Sequence, residues 1–204
     1  MSTTVAAPTT VQSGSNKFSD ILSSVLCGGD WHGEGTVQYD TETFGRDRVV
    51  PYEEQLRFQS LNPMVMSYEQ VKTVHKVNRN PMHREYGYIR IVNGESGELE
   101  YNLSQITGVN EVGNGKLTVT DESEGSVLMT LELNSAQIQR VNSSAKKAKI
   151  DPVTQKSNCV TRVKRVYRVK RNEQQQLELE YVISMATEAN EQVMDHLKAK
   201  LIKQ

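Results

Sequence analysis

Cysteine, histidine, proline and tryptophan are all scarce: two, four, five and one among 204 residues. Cys27 and Cys159 are far apart and form no C-x-x-C pair, and the histidines show no H-x-x-x-H spacing, so a structural zinc site is not expected. Both thiols read as free. Strings that mark common hydrolases, G-x-S-x-G and H-E-x-x-H, are also missing. Charge of one sign is missing too, with 24 basic against 25 acidic side chains and a net charge of −1. That balance leaves no electrostatic footprint for nucleic acid or an anionic membrane surface. Apolar runs such as Val127-Leu128-Met129 and Tyr181-Val182-Ile183 are far shorter than the roughly 18–20 residues of a membrane-spanning helix. Met1 to Ser15 has neither a basic start nor a continuous apolar stretch, so it does not read as a secretory signal. The expected location is cytoplasmic, with nuclear access open.

What is present divides the chain in three. Residues 1–16 are polar and hold few large apolar side chains, too few to offset the entropy of ordering, and are expected to form a disordered tail. Residues 17–28 form a short amphipathic helix, with Phe18, Ile21, Leu22, Val25 and Leu26 at helical spacing and Gly28-Gly29 as the stop. From residue 29 to 204 the period changes to two. Leu99, Tyr101 and Leu103 alternate with polar residues, as do Leu177, Leu179, Tyr181, Ile183 and Met185. Similar signals occur at 55–58, 65–77, 86–92, 116–120, 127–133, 136–141, 162–169 and 197–203. Turn residues stand between them, as in Asn93-Gly94 and Gly113-Asn114-Gly115. About ten antiparallel strands without intervening helices predict an all-β meander, closed into a barrel or packed as two sheets, because an open sheet leaves exposed edges. A barrel of that size has room for a ligand. Residues 142–152, with three lysines and a proline, read as a long loop.

Few residues suggest chemistry. The run Gly29-Asp30-Trp31-His32-Gly33-Glu34-Gly35 is glycine-rich, but it opens a strand and lacks the strand–loop–helix setting of a phosphate loop. Its glycines are expected to let a barrel strand bend, with Trp31 plugging one end of the core. His32 and His75 read as surface residues. His83 and His196 each fall just before a strand and, taken singly, read as solvated loop histidines. Together with Met82 and Met185 near strand ends they suggest a haem environment, since imidazole and thioether suit haem iron and its apolar surroundings.

Four ordered stretches carry a family resemblance. They are Gly29 to Gly35, matching G-x-W-x-G-x-G; Pro81-Met82-His83-Arg84-Glu85-Tyr86-Gly87-Tyr88-Ile89-Arg90; Thr107-Gly108-Val109-Asn110-Glu111-Val112; and Ser184-Met185-Ala186-Thr187 followed by His196-Leu197-Lys198-Ala199. With these the sequence resembles the nitrobindin family, the haem-binding β-barrel also found as the C-terminal domain of the THAP4 protein. The resemblance spans residues 29–204. It implies a ten-stranded antiparallel barrel, similar in shape to fatty-acid-binding proteins and lipocalins, with haem b near its mouth. It implies His196 as the axial ligand of the haem iron, and so as the residue through which catalysis runs. Thr41, Met82, His83 and Met185 are implied as further cofactor-binding residues. The implied activity is isomerisation of peroxynitrite to nitrate by ferric haem, with nitric oxide binding. The alternative is a non-enzymatic carrier of a lipid or other apolar ligand in the same barrel. Expected partners are peroxynitrite and nitric oxide, with no nucleic acid and no membrane, and a homodimer is allowed. Two cysteines are too few for a THAP zinc finger, so no DNA-linked role follows.

Overall fold

The computed structural model describes residues 17–39, 48–120, 127–141, 150 and 155–204. Alternation sets the architecture. On each strand every second side chain enters one shared interior, as in β4 (Glu85–Asn93), where buried and exposed residues follow each other without a break over Glu85 to Ile91. The other strands are β1 (Gly29–Tyr39), β2 (Arg48–Asn62), β3 (Val65–His75), β5 (Glu98–Gln105), β6 (Val109–Val119), β7 (Val127–Arg140), β8 (Val160–Arg171), β9 (Leu177–Thr187) and β10 (Met194–Lys203). All pair antiparallel with their sequence neighbours, and β1 pairs with β10 to close the ring. Closure gives every strand a partner on both sides, so no strand is an edge strand.

Two sequence expectations need correction. Residues 127–133 and 136–141, read as two strands, are one. Val112 pairs with Gln137 and Gly113 with Ser135, so Ala136 is an extra, bulged residue. The bulge flips the inward phase from Leu131 and Leu133 to Ile138 and Arg140, which breaks the sequence pattern without breaking the strand. The leading helix is also less regular than its spacing suggests. An α-helical turn, α1 (Lys17–Ile21), passes into a π-helical turn over Leu22–Leu26, and Gly28 turns the chain into β1 at φ +79°.

This helical segment caps one end of the barrel. Trp31 is fully buried there and its Nε1–H donates to the Leu26 carbonyl at 3.0 Å. Lys203 at the end of β10 donates from Nζ to the carbonyls of Val25 and Cys27, and the same ammonium stands 5.6 Å from the Trp31 ring centre. Burial pushes the Cys27 thiol up to about 11, so it is protonated and inert at neutral pH. The motif glycines serve close approach rather than bending. A Cβ on Gly35 would lie 2.4 Å from the Tyr52 ring, and one on Gly33 would meet the Lys200 carbonyl.

Candidate functional site at the open end of the barrel

Away from the cap the barrel holds a cavity of about 760 Å³, within the roughly 300–1,000 Å³ typical of small-molecule and cofactor sites. Its upper walls are largely apolar, with Val37, Val109, Ile138, Ile183, Met82 and Met185 among them. His83 and His196 line it as well. The structure therefore brings together four of the five residues expected to bind a cofactor. The fifth, Thr41, lies outside the described residues, as do the expected tail at 1–16 and most of the loop at 142–152.

His196 reaches the cavity through a break in register. Asp195 pairs with Ser184 and Leu197 with Ile183, which leaves His196 as the extra residue of a bulge. Without it, strict alternation with inward Leu197, Ala199 and Leu201 would turn residue 196 toward solvent. Its ring packs edge-on against Tyr39 at 5.6 Å and 85°. His32 and His75 take no part in the cavity. Neither is fully exposed, and the His75 Nδ1 accepts the backbone N–H of Val77 at 3.1 Å.

Met82 and His83 arrive differently. β3 pairs with β4 only over Val65 to Glu69, so the rest of β3 separates from β4 and leaves a lateral gap. The segment before β4 fills that gap: the Met82 N–H donates to the Thr73 carbonyl at 2.9 Å, and Pro81 bridges to Val74. Around the ring of ten strands β4 stands four places from β10 by the shorter way. His83 and His196 thus belong to nearly opposite walls.

The floor is polar, a feature the motifs do not reveal. Arg165 on β8, with only 1% of its side chain exposed, donates from Nη1 to Glu85 Oε2 at 2.7 Å and from Nη2 to Glu85 Oε1 at 2.9 Å. Its Nη2 also donates to Glu111 Oε2 at 2.8 Å. Tyr101 and Tyr68 donate to Glu111 and Glu85. Burial by itself would raise the Glu85 carboxyl, but the Arg165 guanidinium and His83 hold it well below the usual carboxylate range. His83 Nε2 lies 2.8 Å from Glu85 Oε1. Beside this cluster, Glu54 is buried with no cation bonded to it. It accepts from Tyr181 at 2.5 Å and from the Gln70 amide at 2.6 Å. Burial, only partly offset by these two donors, pushes its carboxyl up to about 7. A signal for all these residues was available in the sequence. Glu54, Glu85, Glu111 and Arg165 are charges at inward positions of strands whose other inward residues are apolar.

The donor set was tested against a cofactor. Among the described residues no group of three or more His, Cys, Asp or Glu side chains could hold a metal ion. A porphyrin brings its own four nitrogen ligands and asks the protein for one axial donor and an apolar slot. The His196 imidazole, with methionine and aliphatic side chains around the same cavity, fits that demand.

Comparison with known proteins agrees. A family model described as "THAP4-like, heme-binding beta-barrel domain" matches residues 24–203. The chain belongs to this haem-binding family. Within the nitrobindin-type barrels, a solved relative is Rv2717c from M. tuberculosis, 28% identical with a TM-score of 0.69, the match covering 92% of this chain and 98% of that one. No curated protein matches the sequence. Membership makes haem the cofactor.

Proposed function

We propose that this barrel binds haem b through His196 and isomerises peroxynitrite to nitrate, with nitric oxide as a related ligand. The observation that carries this reading is the bulge at His196, which turns an imidazole into the cavity, beside aliphatic and methionine side chains, in a chain of a haem-binding family. Bound ferric haem would supply the electrophilic iron centre for that isomerisation. The chain's own part is to orient and enclose. His196, braced by Tyr39, would hold the cofactor from one wall. Met82, Met185 and their aliphatic neighbours exclude water and keep the local dielectric low. Such a reaction needs no net proton transfer.

The carrier alternative is less well supported. An anionic lipid needs an unmatched cation at the cavity floor, and Arg165 there is already met by two carboxylates. Haemin titration of the purified full chain tests the proposal. Wild type should develop a Soret band at micromolar haemin, and His196→Ala should weaken haem binding by more than the roughly 10–100-fold that loss of an outer partner of a metal ligand costs. No haem uptake by wild type would overturn it. Stopped-flow measurement with the ferric protein should then show faster peroxynitrite decay and a higher nitrate yield, and an unchanged rate would remove the isomerase assignment while leaving haem binding.

A further inference from the structure

We infer that Glu85, set by Arg165, is a positioning residue that keeps the His83 ring in its Nε2–H tautomer, so that the nitrogen left for a cavity ligand, Nδ1, accepts a hydrogen bond instead of donating one. The ligand this wall recognises is one that carries an O–H group, such as water or peroxynitrous acid. This deepens the functional reading above and rests on it for its purpose.

Glu85 is the fixed partner of this pair. Its carboxylate has two oxygens, and Arg165 uses both, Nη1 on Oε2 and Nη2 on Oε1. A carboxylate pinned this way stays ionised and can only accept. The atom of His83 at 2.8 Å from Oε1 is Nε2, so Nε2 must carry the proton. In a neutral ring the other nitrogen is then an acceptor. No hydrogen bond to His83 Nδ1 occurs among the described residues, while the side chain is 29% exposed and lines the cavity. The geometry is firm for a loop residue, because the Met82 backbone beside it is anchored to β3 and Glu85 is anchored to β8 across the barrel.

The consequence concerns which chemistry the site avoids. Heterolytic cleavage of a peroxide of the kind peroxidases perform needs a proton delivered to the departing oxygen. In the one-proton form of His83, that proton is committed to Glu85 and is not delivered. Isomerisation, which returns every atom to one product, does not require it.

Substitution at Glu85 makes the inference testable. In Glu85→Gln only one acceptor oxygen remains. Arg165 Nη2 keeps a second partner in Glu111 Oε2, whereas among the described residues Nη1 bonds only Glu85 Oε2. The carboxamide oxygen should therefore take the Oε2 place, turning its NH₂ toward His83 Nε2. The ring must then accept at Nε2 and move its proton to Nδ1.

The experiment is long-range ¹H–¹⁵N correlation NMR of the histidine rings in the full chain, haem-free and with zinc protoporphyrin as a diamagnetic replacement, at a pH where the spectrum shows one proton per ring. Wild type should show His83 as Nε2–H by roughly tenfold or more, the bias expected of a hydrogen bond to a charged acceptor. Glu85→Gln should invert the preference. Glu111→Gln, which removes the same charge from Arg165 without touching His83, should leave it. Should Glu85→Gln not fold, Glu85→Asp keeps the charge but withdraws the oxygen, and a mixture of both tautomers is expected. An Nδ1–H ring in wild type, or a Glu85→Gln ring like that of wild type, would overturn the inference. So would inversion by Glu111→Gln. Because the readout needs no turnover, its failure is distinct from failure of the peroxynitrite assay.

Discussion

The two ends of this barrel are built from the same strands and the same alternation, yet they solve different problems. At the capped end Trp31, Leu26, Phe58, Leu117, Leu179 and Leu201 fill the interior almost completely. At the other end the inward positions carry Glu54, Glu85, Glu111 and Arg165, and above them the barrel is empty enough to hold a cofactor. The capped end gains its stability from apolar burial. The open end gives up such burial for a polar floor in which Arg165 bonds both Glu85 and Glu111, and this supports a cavity because its geometry is fixed by directional bonds. The lesson is that a charged layer can serve as a false bottom, keeping aliphatic side chains from collapsing into the space above.

Three experiments break or sharpen this contrast. The largest effect is expected for Arg165→Met, which strands two buried carboxylates and should cost at least about 3–5 kcal/mol. Denaturant titrations should find that cost smaller at pH 5 than at pH 8, since protonation relieves the stranded pair. Trp31→Ala at the capped end should cost about 3–5 kcal/mol as a cavity-forming change, with no such dependence on pH. Equal pH profiles for the two variants would erase the distinction between the ends.

Glu54 sharpens it further, because its sign is opposite to that of Glu85. The Glu85 carboxyl is depressed in the folded protein, so its contribution is present above the ordinary glutamate range near 4.5 and is lost as the pH falls below it. The Glu54 carboxyl is raised to about 7, so the folded state holds a proton that the unfolded state releases. Stability from this group is full below about 4.5 and declines as the pH rises through about 7. Glu54→Gln should remove that decline, gaining on the order of 2–3 kcal/mol relative to wild type between pH 5 and pH 8. Parallel pH profiles for wild type and variant would count against a neutral Glu54.

The smallest stability effect is expected at the cavity mouth. His196→Ala removes a half-buried ring with one edge-on aromatic contact, worth about 0.5–1.5 kcal/mol. Thermal melts of the haem-free protein should therefore barely separate it from wild type, although haem titration should separate the two sharply.

How far the sequence carried depended on whether a feature leaves a periodic trace. Strand alternation does, and about ten strands in meander order are legible from it, whereas the choice of a closed barrel over two packed sheets rests on the family resemblance. Register shifts do not. The bulge at Ala136 disguised β7 as two strands, and the bulge that turns His196 inward could not be seen in His196-Leu197-Lys198-Ala199 without its partner on β9. The resemblance singled out His196, His83, Met82 and Met185 as candidates; only three-dimensional pairing shows how they come to share one cavity. The polar floor was readable in part, since Glu54 sits among Tyr52, Leu56 and Phe58 at inward spacing. Its bonding was not, because Arg165 and Glu85 are 80 residues apart and meet only when the ring closes.

The one-residue bulge at His196 has a consequence for how such a protein changes over evolutionary time. Because the extra residue lies at the rim, deleting it would shift only the short stretch before Leu197 and leave the inward residues of β10 in register. A lineage can therefore acquire or discard the imidazole by a single three-nucleotide insertion or deletion, with no repacking of the interior. With His196 as the haem ligand proposed above, a haem-binding barrel and an apolar-ligand barrel would stand one mutational step apart.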